Sequence, residues 1–124
     1  MLNYVVLSLI LVDVALNVAG QLSLKFGMSR MGNFALSLPE LTSVFVRAAS
    51  NPYIILGLVC YGTGFLVWLI VLAKAEVSYA YPMISLGYVF TALLAWQLFG
   101  ENVTPIRVAG IFITCLGVFI IARS

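Results

Sequence analysis

The sequence has no histidine, two cysteines, and only six basic and four acidic residues among 124. Each shortage excludes a class of function. Without histidine the chain lacks the commonest transition-metal ligand, and Cys60 and Cys115 stand apart with no metal-ligand spacing around them. Both fall in apolar runs, where a cysteine reads as a small buried hydrophobe. No metal and no cofactor is therefore expected. The chain has neither a glycine-rich phosphate loop nor a nucleophile elbow, so catalysis would rest on Asp13 alone, and the reading is not that of an enzyme. A net charge of +2 without a basic cluster gives nucleic acid nothing to bind. Most decisively, 8% charged residues cannot cover a soluble domain, which carries about 25%.

What is present is apolar: 64% of the residues are hydrophobic, gathered into four runs. The runs cover about 4–24, 52–73, 77–99 and 105–122, each near the roughly 20 residues a hydrocarbon core requires. A span in lipid must satisfy its own backbone, so each run is a helix. The expected fold is an all-α membrane protein, one domain of four transmembrane helices over 1–124. The first run lacks a basic leader region and exceeds the length of a signal-peptide core, so it is expected to remain as a span.

The only long connection holds a fifth element. Over 39–50, Leu41, Val44, Phe45 and Ala48 fall on one face at helical spacing, with Glu40, Ser43 and Arg47 elsewhere. That pattern predicts a short helix lying in the membrane interface. Asn51-Pro52 and Thr104-Pro105 place a capping side chain before a proline, and Gly100 stands where the third helix should stop. The first and third connections carry Lys25, Arg30, Arg47 and Arg107, against Lys74 and Arg123 on the opposite side. The positive-inside rule then predicts both termini outside the cytoplasm, with a bias small enough to leave room for dual insertion.

Two stretches depart from an inert apolar pattern. Within the first span Asp13, Asn17, Gln21 and Lys25 recur every four residues. Each step advances about 40° on a helix, so they form one slowly winding polar stripe. Polar groups at that depth are costly unless they face protein or a water-filled cavity. Asp13 is a candidate for proton coupling or substrate contact, with interhelical hydrogen bonding as its structural alternative. Asn17 and Gln21 can donate and accept, which suits sugar hydroxyls or phosphate oxygens. Lys25, at the helix end, either snorkels to the interface or pairs with a phosphate.

The third span contains Pro82, which cannot donate to the Ser78 carbonyl, so a kink or opening is expected there. Tyr81, Ser85 and Tyr88 share one face beside it, a polar aromatic wall of the kind expected along a transport path. In the second span Gly57, Tyr61, Gly64 and Trp68 make a comparable stripe that suits close helix packing, with Tyr61 also a candidate contact. The fourth span sets Gly110 and Gly117 one heptad apart with Thr114 between them, a face that lets helices approach closely.

The stretches NVAGQLSLKFG, AYPMISLGYVFTALLAWQLFGENVTP and AGIFITCLGVFIIA resemble the drug/metabolite transporter superfamily, which includes EamA-like proteins. More narrowly, they are similar to its four-helix members, the small multidrug resistance proteins and the aminoarabinose-phosphoundecaprenol flippase subunits. The resemblance implies that Gly20, Lys25 and Phe26 close the first helix as in the small exporters, and that Tyr81 is a substrate tyrosine. It likewise implies that Gly110, Ile113, Gly117 and Val118 form a dimerisation pattern. Two positions depart: the exporters' membrane glutamate falls on Asn17, and their stacking tryptophan on Ile84. VAGQ (Val18 to Gln21) and AYPM (Ala80 to Met83) are instead similar to the flippase subunits, which also lack that glutamate.

What the resemblance implies is an inner-membrane transporter or flippase subunit for a polyprenyl-phosphate-linked sugar or similar anionic amphiphile, working as a homodimer or with a homologous four-helix partner. Two other readings stay open: a proton-coupled exporter of drugs or metabolites using Asp13, and a non-transporting partner of another membrane protein.

Overall fold

The computed structural model describes residues 4–124. These form six helices: α1 (Tyr4–Ser29), α2 (Leu38–Ala49), α3 (Pro52–Lys74), α4 (Val77–Ile84), α5 (Leu86–Phe99) and α6 (Pro105–Arg123). Read with α4 and α5 as one span, four segments are long and apolar enough to cross a membrane: Tyr4–Ser29, Pro52–Lys74, Val77–Phe99 and Pro105–Arg123. The architecture is the expected all-α one, with no strand among the described residues.

Helix α1 is the central element. Val6, Ile10, Val14 and Val18 recur at every fourth position and are all buried. They form one cluster with Val71 of α3, Ala80 and Met83 of α4, and Val118 of α6. The partner α1 meets along most of its length is α3, with α4 and α5 beside it. Glycines make the α1–α3 approach possible: a Cβ on Gly57 would lie 2.7 Å from the Leu24 side chain and 3.1 Å from the Gly20 carbonyl oxygen. Asn51 adds a polar tie, donating from Nδ2 to the Gly27 carbonyl at 3.3 Å.

The helix ends follow their capping chemistry. Asn51 accepts from the Tyr53 amide at 2.9 Å, and Thr104 from the Arg107 amide at 3.2 Å. Gly100, at φ +66°, stops α5 in the left-handed conformation that glycine adopts without a Cβ penalty. Helix α2 forms over the segment expected to be helical, starting and ending one residue earlier, and rests on α3. Val44 is buried there, while Phe45 and Val46 remain exposed.

The third span is interrupted, and the interruption sits at Ser85, three residues beyond the proline. Pro82 stays inside α4. The Ser85 amide donates to the Pro82 carbonyl at 3.0 Å, and the Ser85 hydroxyl donates to the same oxygen. Those bonds take the acceptor that a continuous helix would offer to the Leu86 amide, so the serine side chain competes with the ladder.

Helix α6 lies at the edge of the bundle against α4 and α5. Its one fully buried residue is Val118, which faces the protomer's own core. Ile113 is exposed, and a Cβ built on Gly110 or Gly117 would meet nothing within 4 Å. Gly110, Ile113 and Gly117 therefore open outward, whereas Val118 does not share their face. Near the end of α6 the Tyr79 hydroxyl donates to the Ala122 carbonyl at 3.1 Å, holding the start of α4 to it.

Candidate functional site

The polar stripe of α1 opens into two clefts on one side of the bundle. The first, about 230 Å³, is walled by Asp13 and Asn17 of α1, Tyr61, Gly64 and Trp68 of α3, and Tyr81 and Ile84 of α4; Cys60 and Phe65 also reach it. The second, about 670 Å³, is walled by Asn17 and Gln21 of α1, then Tyr81 and Pro82 of α4, then Ser85, Tyr88 and Thr91. Asn17, Tyr81 and Ile84 belong to both. The clefts are thus adjoining compartments that meet beside the α4–α5 break.

Helix geometry explains the placement. Each four-residue step along α1 rises about 6 Å and turns slightly, so successive stripe residues pass from one cleft to the next. Asp13 lines the first and is 6% exposed. No hydrogen bond or ion pair joins its carboxyl to the described residues, and its oxygens keep some access to the cleft. Glycine at position 64 leaves room for it, since a Cβ there would stand 2.9 Å from its Oδ1. Gln21 reaches the hydroxyl of Tyr61, whose ring packs over Gly20 about 3 Å from where a Cβ would be. Tyr81 meets Trp68 edge to face, with ring centroids 6.0 Å apart.

Of the residues singled out in the sequence, Asp13, Asn17, Gln21, Tyr61, Tyr81, Ser85 and Tyr88 all line one or both clefts, as does Pro82. Lys25 lines neither. It lies at the end of α1, 3.8 Å from Glu101 in the α5–α6 connection. Beside it, Phe26 stacks near Tyr53, and Arg30 sits over both rings at 5.5 and 5.6 Å.

Several wall residues escaped the sequence reading, Thr91, Trp68 and Phe65 among them. Thr91 follows Tyr88 by three positions, so extending the Tyr81–Ser85–Tyr88 face one more step would have found it. Trp68, read as packing, does pack, yet it also walls the first cleft. Phe65 stands three positions before Trp68 and shares its side of α3.

Chemically, the second cleft is uncharged, a mainly apolar surface that carries the amides of Asn17 and Gln21 and the hydroxyls of Tyr81, Ser85, Tyr88 and Thr91. Amides and hydroxyls there can both donate and accept, the requirement for sugar hydroxyls or phosphate oxygens. Neither cleft is lined by a lysine or arginine, and Asp13 is the one carboxyl between them.

Comparison with known proteins places the chain. Residues 4–123 match the EamA-like transporter family. A "Probable 4-amino-4-deoxy-L-arabinose-phosphoundecaprenol flippase subunit ArnE" of Pseudomonas savastanoi pv. phaseolicola is 38% identical over 79 residues, 64% of this chain and 69% of the relative. The protein of the same description from Salmonella paratyphi B is 38% identical over 69 residues, 56% of this chain and 62% of its own length. The similarity thus spans about two thirds of each relative. No solved structure matches the chain. With four helices of membrane-spanning length and a family match across nearly the whole sequence, this multi-pass membrane protein belongs to the EamA-like transporter family.

Proposed function

We propose that this protein is a flippase subunit that moves a polyprenyl-phosphate-linked sugar across the inner membrane. The observation that carries this reading is the shared wall of the two clefts, with the uncharged Asn17 where a carboxylate would serve cation exchange. The head group passes from one cleft to the other along Asn17 and Gln21, exchanging water for amide and hydroxyl partners. Tyr81 and Tyr88, more than half exposed, stand at the open side of the clefts, where the polyprenyl tail stays in the bilayer. The flippase-subunit relatives described above support the class of cargo.

In the same reading the protein works with a second four-helix chain, a copy or a homologue, seated on the outward face of α6 around Gly110, Ile113 and Gly117. The first and third connections lie in the cytoplasm and the termini outside, following the excess of Lys25, Arg30, Arg47 and Arg107.

Mass spectrometry of lipids retained by the purified protein tests the cargo. A polyprenyl-phosphate-linked sugar should be retained by the wild type and lost in Asn17→Leu/Gln21→Leu. Retention of bulk phospholipid only, from cells that make such carriers, would refute the assignment.

A further inference from the structure

We propose that the groove between the α3–α4 connection and the end of α6 binds the head group of an aminophospholipid, with Lys74 and Arg123 on its phosphate and Glu76 on its ammonium. This inference stands apart from the cargo reading, because the groove shares no wall residue with either cleft.

Its depth in the membrane is the first observation. The groove, about 1100 Å³, is lined by Lys74, Glu76, Ser78, Tyr79 and Arg123 among others. Lys74 is the last residue of α3, Glu76 caps the start of α4, and Arg123 is the last residue of α6. All three therefore stand where segments of membrane-spanning length end, at the level of the lipid head groups. Basic pockets between spans at that level suit phosphate head groups.

The charges are the second observation. Opposite signs line one groove, yet among the described residues no ion pair or hydrogen bond engages the side chains of Lys74, Glu76 or Arg123. Arg123 instead sets its guanidinium 5.8 Å from the centroid of the Phe119 ring. Two cations and one anion held apart match a ligand that carries both signs. Phosphoethanolamine is such a ligand. Its phosphate accepts from lysine and arginine, and its primary ammonium brings three N–H donors for the Glu76 carboxylate and the Ser78 hydroxyl. A purely anionic head group would be repelled by Glu76, and choline has no N–H to give it.

The flanking surface suits acyl chains. Val77, beside Glu76, and Phe119 and Ile120, about one turn before Arg123, are all more than half exposed. They carry apolar surface from the head-group level toward the hydrocarbon. A lipid seated here touches α3, α4 and α6 together, next to the bond from the Tyr79 hydroxyl to Ala122 that ties α4 to α6. It thereby braces α4, the helix that carries Tyr81 and Ile84 into both clefts.

Native mass spectrometry tests the site on the full chain, purified in detergent and offered equal amounts of phosphatidylethanolamine, phosphatidylglycerol and phosphatidylcholine with the same acyl chains. The wild type should retain phosphatidylethanolamine about threefold to tenfold over the other two, the scale of charge-assisted bonds at an exposed position. Glu76→Gln should remove that preference, and Lys74→Gln/Arg123→Gln should lower retention of all three lipids. Glu101→Gln, at the opposite end of the bundle, should change nothing. The three groove side chains are exposed, so their variants should fold as the wild type does, and the wild-type comparison decides without them. Cargo flipping enters none of these readouts, so the flippase reading is judged separately. Equal retention of the three lipids by the wild type overturns the site, and a preference for phosphatidylglycerol overturns the zwitterionic class. A phosphatidylethanolamine preference that survives in Glu76→Gln overturns its assignment to this groove.

Discussion

A carboxamide at position 17 presents two donors and an acceptor with two lone pairs, so it can stay bonded while a head group turns past it. A carboxylate there can only accept and would repel a phosphate. Asn17→Glu should therefore cut translocation of a phosphate-linked cargo about tenfold or more, as like-charge juxtaposition costs several kcal/mol; a rate assay in vesicles reads this directly. The Lys25–Glu101 pair is different in kind. At 3.8 Å, with both side chains substantially exposed, it is expected to be worth less than about 1 kcal/mol. Glu101→Gln should leave thermal stability in detergent nearly unchanged, and a large drop would show the pair to be structural. The stripe itself was legible from the four-residue spacing, because periodicity alone puts its members on one line. That Lys25 turns to Glu101 was not, because Glu101 is 76 positions away and only the fold brings them together.

Among the elements, α1 and α3 form the most intimate pair, and glycines set how close they come. Adding a methyl at Gly57 would force it into Leu24 and toward the Gly20 carbonyl. Gly57→Ala should cost on the order of 1–3 kcal/mol, measured as a lowered melting temperature. Gly62, on the same helix with nothing within 4 Å of its would-be Cβ, is the control, and Gly62→Ala should be neutral or mildly stabilising. Equal effects at both positions would contradict close packing as the role of Gly57. Helix termini were readable because caps act locally: Asn51, Thr104 and Gly100 each do what their residue types favour. The break in the third span was harder to place. Pro82 announced a disturbance, but the competition for its carbonyl comes from Ser85, and the sequence does not reveal which way that hydroxyl points.

At the scale of the molecule, α6 is the helix that the protomer covers least; only 6% of its most apolar stretch is buried, against 33% for α1. A helix so placed is available to a second chain. Gly110→Leu combined with Gly117→Leu meets no steric obstacle within the protomer, so the fold should persist while cross-linking between protomers falls several-fold. Unchanged cross-linking would move the interface elsewhere. Val118 shows why the sequence pattern was incomplete: the family resemblance groups it with Gly117, but a single residue step turns it about 100° into the core. The number of spans and their order followed from hydropathy, whereas the joining of two clefts depends on how three helices lean together.

The most direct test is translocation itself. Protein reconstituted in vesicles should flip a fluorescent polyprenyl-phosphate-linked sugar, and Asn17→Leu/Gln21→Leu should reduce the rate to that of protein-free vesicles. Flipping that continues unchanged in the double variant would contradict the path along the α1 stripe.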